Sequence, residues 1–226
     1  EYFAMALPAH RSERIAGIVW GLAVAAGVMS GRPGAWGAAI AFAVITGFAF
    51  VLLRHDDLTA AVRRLEASIL GILYVGFFTP HIVLTRQDYG PDGWRWALLG
   101  VFVAMGSDTG GYFAGRAWGR TKLMPAVSPS KTVEGALGAV WGAVAIAFFC
   151  RWAFFPSVRF SEAIWLGGVV SVLAQFGDLA ESALKRAFGA KDSGWIIPGH
   201  GGILDRLDSL LFPFVFVYYY AALPRG

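Results

Sequence analysis

Charge is what this 226-residue sequence has least of: 15% of its residues are Asp, Glu, Lys or Arg, against 57% hydrophobic. A water-soluble domain of this size carries about 25% charged residues. The shortage is not local, because apolar blocks near spanning length recur along the whole chain. Too little polar surface remains to cover an aqueous exterior, which makes a lipid bilayer the natural solvent. The single cysteine, Cys150, excludes an internal disulfide and says nothing about redox compartment. Inside an apolar block it reads as a small packing residue. No stretch has the charged, apolar and cleavable layout of a signal peptide. The sequence opens on Glu1 instead of methionine, and an upstream piece is expected. No internal repeat is visible.

Apolar runs interrupted by polar clusters predict an all-α, polytopic helical membrane protein with about seven transmembrane helices. The runs cover 15–29, 35–53, 68–85, 94–115, 129–150, 163–188 and 203–223. Two regions are expected: N-terminal membrane helices over 1–93 and a second membrane region over 94–226 that holds the chemistry. With the N-terminus placed in the cytoplasm, 13 of the 19 basic residues fall inside and 6 outside, every lysine among the 13. The positive-inside rule therefore orients the chain that way. Topology accounts for the net charge of +4, so no nucleic-acid partner is needed. The mixed-sign stretch 54–66 reads as a solvated connector. Trp94, Trp96, Trp152 and the run Tyr218, Tyr219, Tyr220 read as an interfacial aromatic belt at the outer boundary.

Charged groups inside a span cost several kcal/mol and mark sites. Here they are Asp108, Asp178, Glu181, Asp205 and Asp208. Asp108 and Asp178 each fall about 21 Å into their spans at about 1.5 Å per residue. Asp205 and Asp208 open the last span, so all five acids lie toward the cytoplasmic end. Asp178 with Glu181, and Asp205 with Asp208, are three apart and share a helix face. Carboxylates gathered at one depth repel unless a cation lies between them, and such hard ligands suit Mg²⁺. Glu181 stands four residues before Lys185 and is as readily its ion-pair partner. Glu134 lies one turn into its span, within reach of water.

Anion-holding features accompany these acids. Pro198, Gly199, His200, Gly201 and Gly202 run into the last helix, where a glycine turn and a helix N-terminus favour phosphate. Ser128 and Pro129 look like the cap and first residue of another helix, with Lys131 just inside it. Lys185, Arg186, Lys191 and Arg206 complete a cationic mouth facing carboxylates, the layout of phosphoryl-type transfer.

At these residues the sequence resembles the phosphatidate cytidylyltransferases, also called CDP-diglyceride synthetases. The resemblance lies in Ser182-Ala183-Leu184-Lys185-Arg186, Lys191-Asp192, Pro198 to Gly202 and Leu204-Asp205-Arg206-Leu207-Asp208. A second stretch agrees: Asp108-Thr109-Gly110-Gly111-Tyr112-Phe113, Gly115-Arg116, Lys122-Leu123, Pro125, Ser128 to Thr132 and Glu134-Gly135. Gly177-Asp178-Leu179 completes it. The likeness runs from about Trp94 to the C-terminus; the first three spans match only in hydrophobicity.

The resemblance implies a Mg²⁺-dependent reaction of CTP with phosphatidic acid, with room for a second cation, in a protein that is often a homodimer. It implies a multi-pass protein of the bacterial inner (plasma) membrane with its active site facing the cytoplasm, and more N-terminal spans than this chain shows. Asp178, Asp205 and Asp208 are expected to hold metal, with Asp178, Asp205, Lys131 and Lys185 catalytic. Asp108, Lys122, Ser128, Ser182, Arg186, Lys191, Asp192, His200, Gly201, Gly202 and Arg206 are expected to bind substrate. A phosphate monoester, with its second pKa near about 6, is already a nucleophile at neutral pH, so no general base is required. Two rivals are a CTP-dependent polyprenol kinase or a cytidylyltransferase for another lipid phosphate, and, from another class, a cation-coupled transporter. The first would need a base for an alcohol; the second would spread its acids through the bilayer.

Overall fold

The computed structural model describes residues 1–53, 57–196 and 201–223. Arg54, Pro198, Gly199 and His200, singled out above, lie outside these residues. The chain divides into two compact units, Glu1–His81 with Ala190–Leu204, and Ile82–Gly189 with Asp205–Gly226. The division therefore falls at His81 and Ile82, and a late segment joins the first unit.

In the first unit a short helix α1 (Tyr2–Ala6) precedes α2 (Arg11–Met29), α3 (Ala35–Leu53) and α4 (Leu58–Gly71). The Phe3 ring lies on Gly17 and Gly21 of α2, where no side chain intervenes. The Tyr2 hydroxyl donates to the Ala67 carbonyl at 2.9 Å, anchoring α1 to α4. Residues 58–66, expected as a solvated connector, are helical instead. The reason is an ion pair across the unit: Arg64 Nε donates to Glu13 Oε2 at 3.0 Å, with both side chains largely buried. Asp57 caps α4 by accepting from the Thr59 N–H. A π turn at Ile72–Phe77 follows, then α5 (Pro80–Gln87).

The same unit holds 190–204. The Glu1 carboxylate accepts from the backbone N–H groups of Ile203 and Leu204 at 2.9 and 2.7 Å. These are the first donors of α9 (Leu204–Ala221), where a phosphate was expected. A carboxylate satisfies orphan helix donors just as a phosphate would.

The second unit is built on α6 (Gly93–Trp118), α7 (Val133–Ala153), α8 (Phe160–Ala187) and α9 from Asp205 onward. Its core packs Trp96, Leu99, Val103, Phe155, Leu166 and Val170. Trp96 is 2% exposed with its ring 4.8 Å from that of Phe155, so it is a core residue and not part of an interfacial belt. Trp152 is 80% exposed. Cys150 is free and fully buried, a packing residue as expected.

The helices α6 and α7 meet backbone to backbone. Gly106 and Gly110 face Gly142 and Gly138, each four residues apart, and a Cβ on Gly110 or Gly142 would collide with the opposite helix's main chain. Small residues at this spacing bring helices together in lipid, where apolar side chains gain little from burial.

Between α6 and α7 the chain forms an antiparallel hairpin, β1 (Lys122–Met124) with β2 (Ser128–Thr132). The helix expected from Pro129 therefore starts at Val133. The residue before a proline is pushed toward extended backbone, so Ser128 joins a strand instead of capping a helix. Thr132 caps α7, its Oγ1 accepting from the Gly135 N–H at 3.1 Å.

The seven expected spans fall largely on helices, except that the fifth opens in strand β2 over 129–132. Five of these are apolar enough to cross a bilayer by length and composition: Arg11–Met29, Ala35–Leu53, Leu58–Gln87, Val133–Ala153 and Phe160–Ala187. α6 carries Asp108, and α9 carries Asp205, Arg206 and Asp208.

Gly142→Val is expected to cost about 1–3 kcal/mol by overpacking the α6–α7 contact. Gly168→Ala, where a Cβ meets nothing within 4 Å, should leave stability unchanged. Thermal unfolding of both variants in detergent micelles checks the contrast.

Candidate active site

Two clusters of charge occupy the second unit. Asp178 sits on α8, about two-thirds of the way along the helix. Its Oδ2 lies 2.5 Å from the Lys131 Nζ, which β2 delivers just before α7 begins. Ser182, one turn on, donates from Oγ to Asp178 Oδ1 at 3.4 Å. Asp108 of α6 and Asp208 of α9 complete this group. Asp108 lines the same cavity as Asp178 and Lys131. Asp208 Oδ1 accepts from the Ser209 N–H at 2.6 Å. Three helices thus contribute three carboxylates to one neighbourhood.

Gly177 makes this approach possible. A Cβ there would run into the Asp208 carbonyl, so α8 and α9 touch through backbone alone. The neighbouring Asp178 and Asp208 follow from that contact.

The second cluster is organised by Lys185. Its Nζ pairs with Glu181, one turn back on α8, and with Asp205 Oδ1 at 2.6 Å on α9. The Glu181 side chain is 1% exposed. Glu181 therefore takes the ion-pair role its spacing allowed, and Lys185 holds two carboxylates at once. Asp205 belongs to this cluster, while Asp178 and Asp208 belong to the first.

A cavity of ≈ 620 Å³ opens beside the first cluster, lined by Asp108, Asp178, Lys131, Arg116, Tyr112 and Gln175 among others. That volume is in the range of small-molecule sites. Its floor is small residues, Gly111, Gly135, Ala136 and Ala139, so room exists because side chains are missing there. A buried hydroxyl pair stands behind it: Ser107 Oγ and Ser171 Oγ are 2.8 Å apart, and Gln175 Nε2 donates to Ser171 Oγ at 3.2 Å. Glu134 accepts from the Arg120 and Thr121 N–H groups at 3.0 and 3.2 Å, tying the base of the hairpin that carries Lys131.

The other expected residues are placed as follows. Lys122 is exposed on β1 opposite Thr132, and Ser128 lies on β2 opposite Met124. Arg186 is exposed beside Lys185, and Arg206 is exposed beside Asp205. Lys191, Asp192, Gly201 and Gly202 belong to the first unit, where Lys191 and Asp192 are exposed and Gly202 is buried. Arg116, Tyr112 and Gln175 were not among the expected site residues. Gln175 could have been found, since it lies three before Asp178 on the same face of an apolar helix. Arg116 stood within the family-like stretch, but nothing in its spacing marked it.

Of the carboxylates expected to hold metal, Asp178 is paired with Lys131 and Asp205 with Lys185. Among the described residues no three Asp, Glu, His or Cys side chains are grouped closely enough to enclose an ion. Hard carboxylate oxygens are the kind of donor Mg²⁺ takes, one or two at a time beside water and phosphate oxygens.

The two lysines should differ in what they hold together. Lys185→Met strands the buried Glu181 and is expected to cost about 3–5 kcal/mol. Lys131 and Asp178 are 25% and 32% exposed, so solvent screening should limit their coupling to about 1 kcal/mol. A double-mutant cycle with Asp178→Asn, read by thermal unfolding, checks the second value.

Comparison with known proteins identifies the family. Residues 1–223 match the cytidylyltransferase family. A phosphatidate cytidylyltransferase of Thermotoga maritima is 36% identical over 173 residues, covering 74% of this chain and 63% of that protein. One from Staphylococcus haemolyticus is 36% identical over 205 residues, covering 88% and 76%. One from Bacillus subtilis is 38% identical over 182 residues, covering 80% and 66%. The chain thus spans about two-thirds to three-quarters of these relatives' length. With its carboxylate cluster, its lysines and a match over nearly its whole length, the chain belongs to the cytidylyltransferase family.

Proposed function

We propose that this protein transfers a cytidylyl group from CTP to phosphatidic acid, giving CDP-diacylglycerol and pyrophosphate in phospholipid synthesis. The observation that supports the reading is one cavity lined by Asp108 of α6, Asp178 of α8 and Lys131 of the hairpin, with Asp208 brought near Asp178 by the backbone contact at Gly177. The names of the relatives support the substrate pair.

In the reaction a phosphate oxygen of phosphatidate attacks the α-phosphorus of CTP. The bond from that phosphorus to the β-phosphate oxygen breaks, and pyrophosphate leaves with the bonding pair. The nucleophile is already an anion, so no proton has to be removed. What the protein must supply is neutralisation of two polyanions as they meet. Lys131 stands at the cavity, and Lys185 stands between Asp205 and Glu181. Asp178 and Asp208 are the residues best placed to hold Mg²⁺, and Asp205 is held by Lys185 until substrate or metal displaces it. Bound there, Mg²⁺ would stabilise charge on the triphosphate and on the leaving pyrophosphate. Asp108 and the Ser182 hydroxyl orient these groups.

The same reading places the protein in the bacterial plasma membrane as a homodimer, with the cavity facing the cytoplasm. Supporting it is the excess of basic residues on that side of the predicted topology.

Purified protein in liposomes, given labelled CTP, phosphatidate and Mg²⁺, is expected to form CDP-diacylglycerol and pyrophosphate. Transfer only to a polyprenol would reject the assignment. Asp178→Asn and Asp205→Asn should each lower kcat at least about 100-fold with the fold retained; undiminished turnover in either would remove its role. Orientation can be read with Ala126→Cys, since Cys150 is fully buried and should not react. A membrane-impermeant maleimide should label inverted vesicles and spare intact spheroplasts.

A further inference from the structure

The cavity is lined by two acids, Asp108 and Asp178, and two cations, Lys131 and Arg116. The cations are in different states. Lys131 is committed to Asp178, with Nζ and Oδ2 2.5 Å apart. Arg116 makes one contact of another kind: its Nη1 donates to the Tyr112 hydroxyl at 2.9 Å. Among the described residues it has no carboxylate partner. It stands near the C-terminal end of α6, exposed, with Tyr112 one turn before it and also lining the cavity. A guanidinium is charged at any working pH and offers five N–H donors in a rigid fork. One donor is spent on the tyrosine, which fixes the plane of the fork. The others are available to an incoming anion.

We infer that Arg116, held by Tyr112, is a phosphate-binding arm of this cavity, engaging a terminal phosphate by paired N–H···O bonds. The inference rests on the reading of the cavity as the place where CTP meets phosphatidate. Both substrates end in a phosphate, the triphosphate of the nucleotide and the monoester of the lipid, and the chemistry at Arg116 is common to both. Lys131 has to leave or share Asp178 before it can meet a substrate anion. Arg116 has no such competitor, so it is the cation ready for first contact. Its geometry suits a phosphate better than a carboxylate-lined metal site, because a fork recognises two oxygens of one group. Tyr112 acts through Arg116 and is a positioning residue.

The test compares wild type with Arg116→Gln, Arg116→Lys and Tyr112→Phe, all full chain in detergent–lipid micelles with melting temperatures recorded. Steady-state kinetics are measured against CTP and against phosphatidate separately. Arg116→Gln is expected to raise one KM about 10- to 100-fold, as loss of charge-assisted hydrogen bonds would. Arg116→Lys should recover part of that, since it keeps the charge without the fork. Tyr112→Phe should raise the same KM severalfold. A shift in the KM for CTP alone assigns the arm to the triphosphate; a shift for phosphatidate alone assigns it to the lipid. Equilibrium binding of inorganic pyrophosphate and of glycerol 3-phosphate to wild type and Arg116→Gln reads the same contact without turnover. Both KM values within twofold of wild type, with unchanged pyrophosphate and glycerol 3-phosphate binding, would overturn the inference. So would a fall in kcat alone that Arg116→Lys does not relieve. An inactive wild type would reject the cytidylyl-transfer reading, while the binding measurements would still decide the role of Arg116.

Discussion

A carboxylate inside an apolar helix bundle must be answered by a cation, and the second unit is arranged around that constraint. Glu181 is almost wholly buried and is answered by Lys185 from its own helix. Asp205 shares the same ammonium, and Asp178 is answered by Lys131 from the hairpin. An uncompensated charge at such depth would cost several kcal/mol. The lysines therefore have a structural role in the fold whatever the substrate. The same atoms that steady the fold are the ones a polyanionic substrate would recruit.

Backbone contact makes the arrangement possible. The carboxylates of α6, α8 and α9 can share a neighbourhood only if the helices approach more closely than ordinary side chains allow. Gly177 permits this against Asp208, and Gly106, Gly110, Gly138 and Gly142 permit it between α6 and α7. The same economy of side chains leaves the cavity, floored by Gly111, Gly135, Ala136 and Ala139. In lipid, close packing of small residues supplies the helix association that apolar burial supplies in water. Fold and cavity thus come from one device.

Where sequence reasoning and structure part, the cause is local competition. Ser128 and Pro129 carry good helix-start chemistry, yet Pro125 and Pro129 four residues apart favour a hairpin, and Thr132 becomes the cap. Residues 58–66 look like a polar connector, but Arg64 finds Glu13 and the segment becomes helix. Trp96 looks interfacial by its distance from a boundary, and its rotation about α6 turns it into the core. The donors at the start of α9 look like a phosphate cradle, and the Glu1 carboxylate takes them.

By itself the sequence determined the apolar surroundings and the helical class, because hydropathy and the scarcity of charge are properties of composition and order. It also revealed that acids and lysines belong together, since charges are too costly in a bilayer to be incidental. Which lysine answers which acid was decided by tertiary structure alone. So was the standing of Arg116 and Gln175 at the cavity, which depends on how each helix is rotated about its axis. Periodicity marks a helix face, but only packing against the neighbouring helices determines what that face meets.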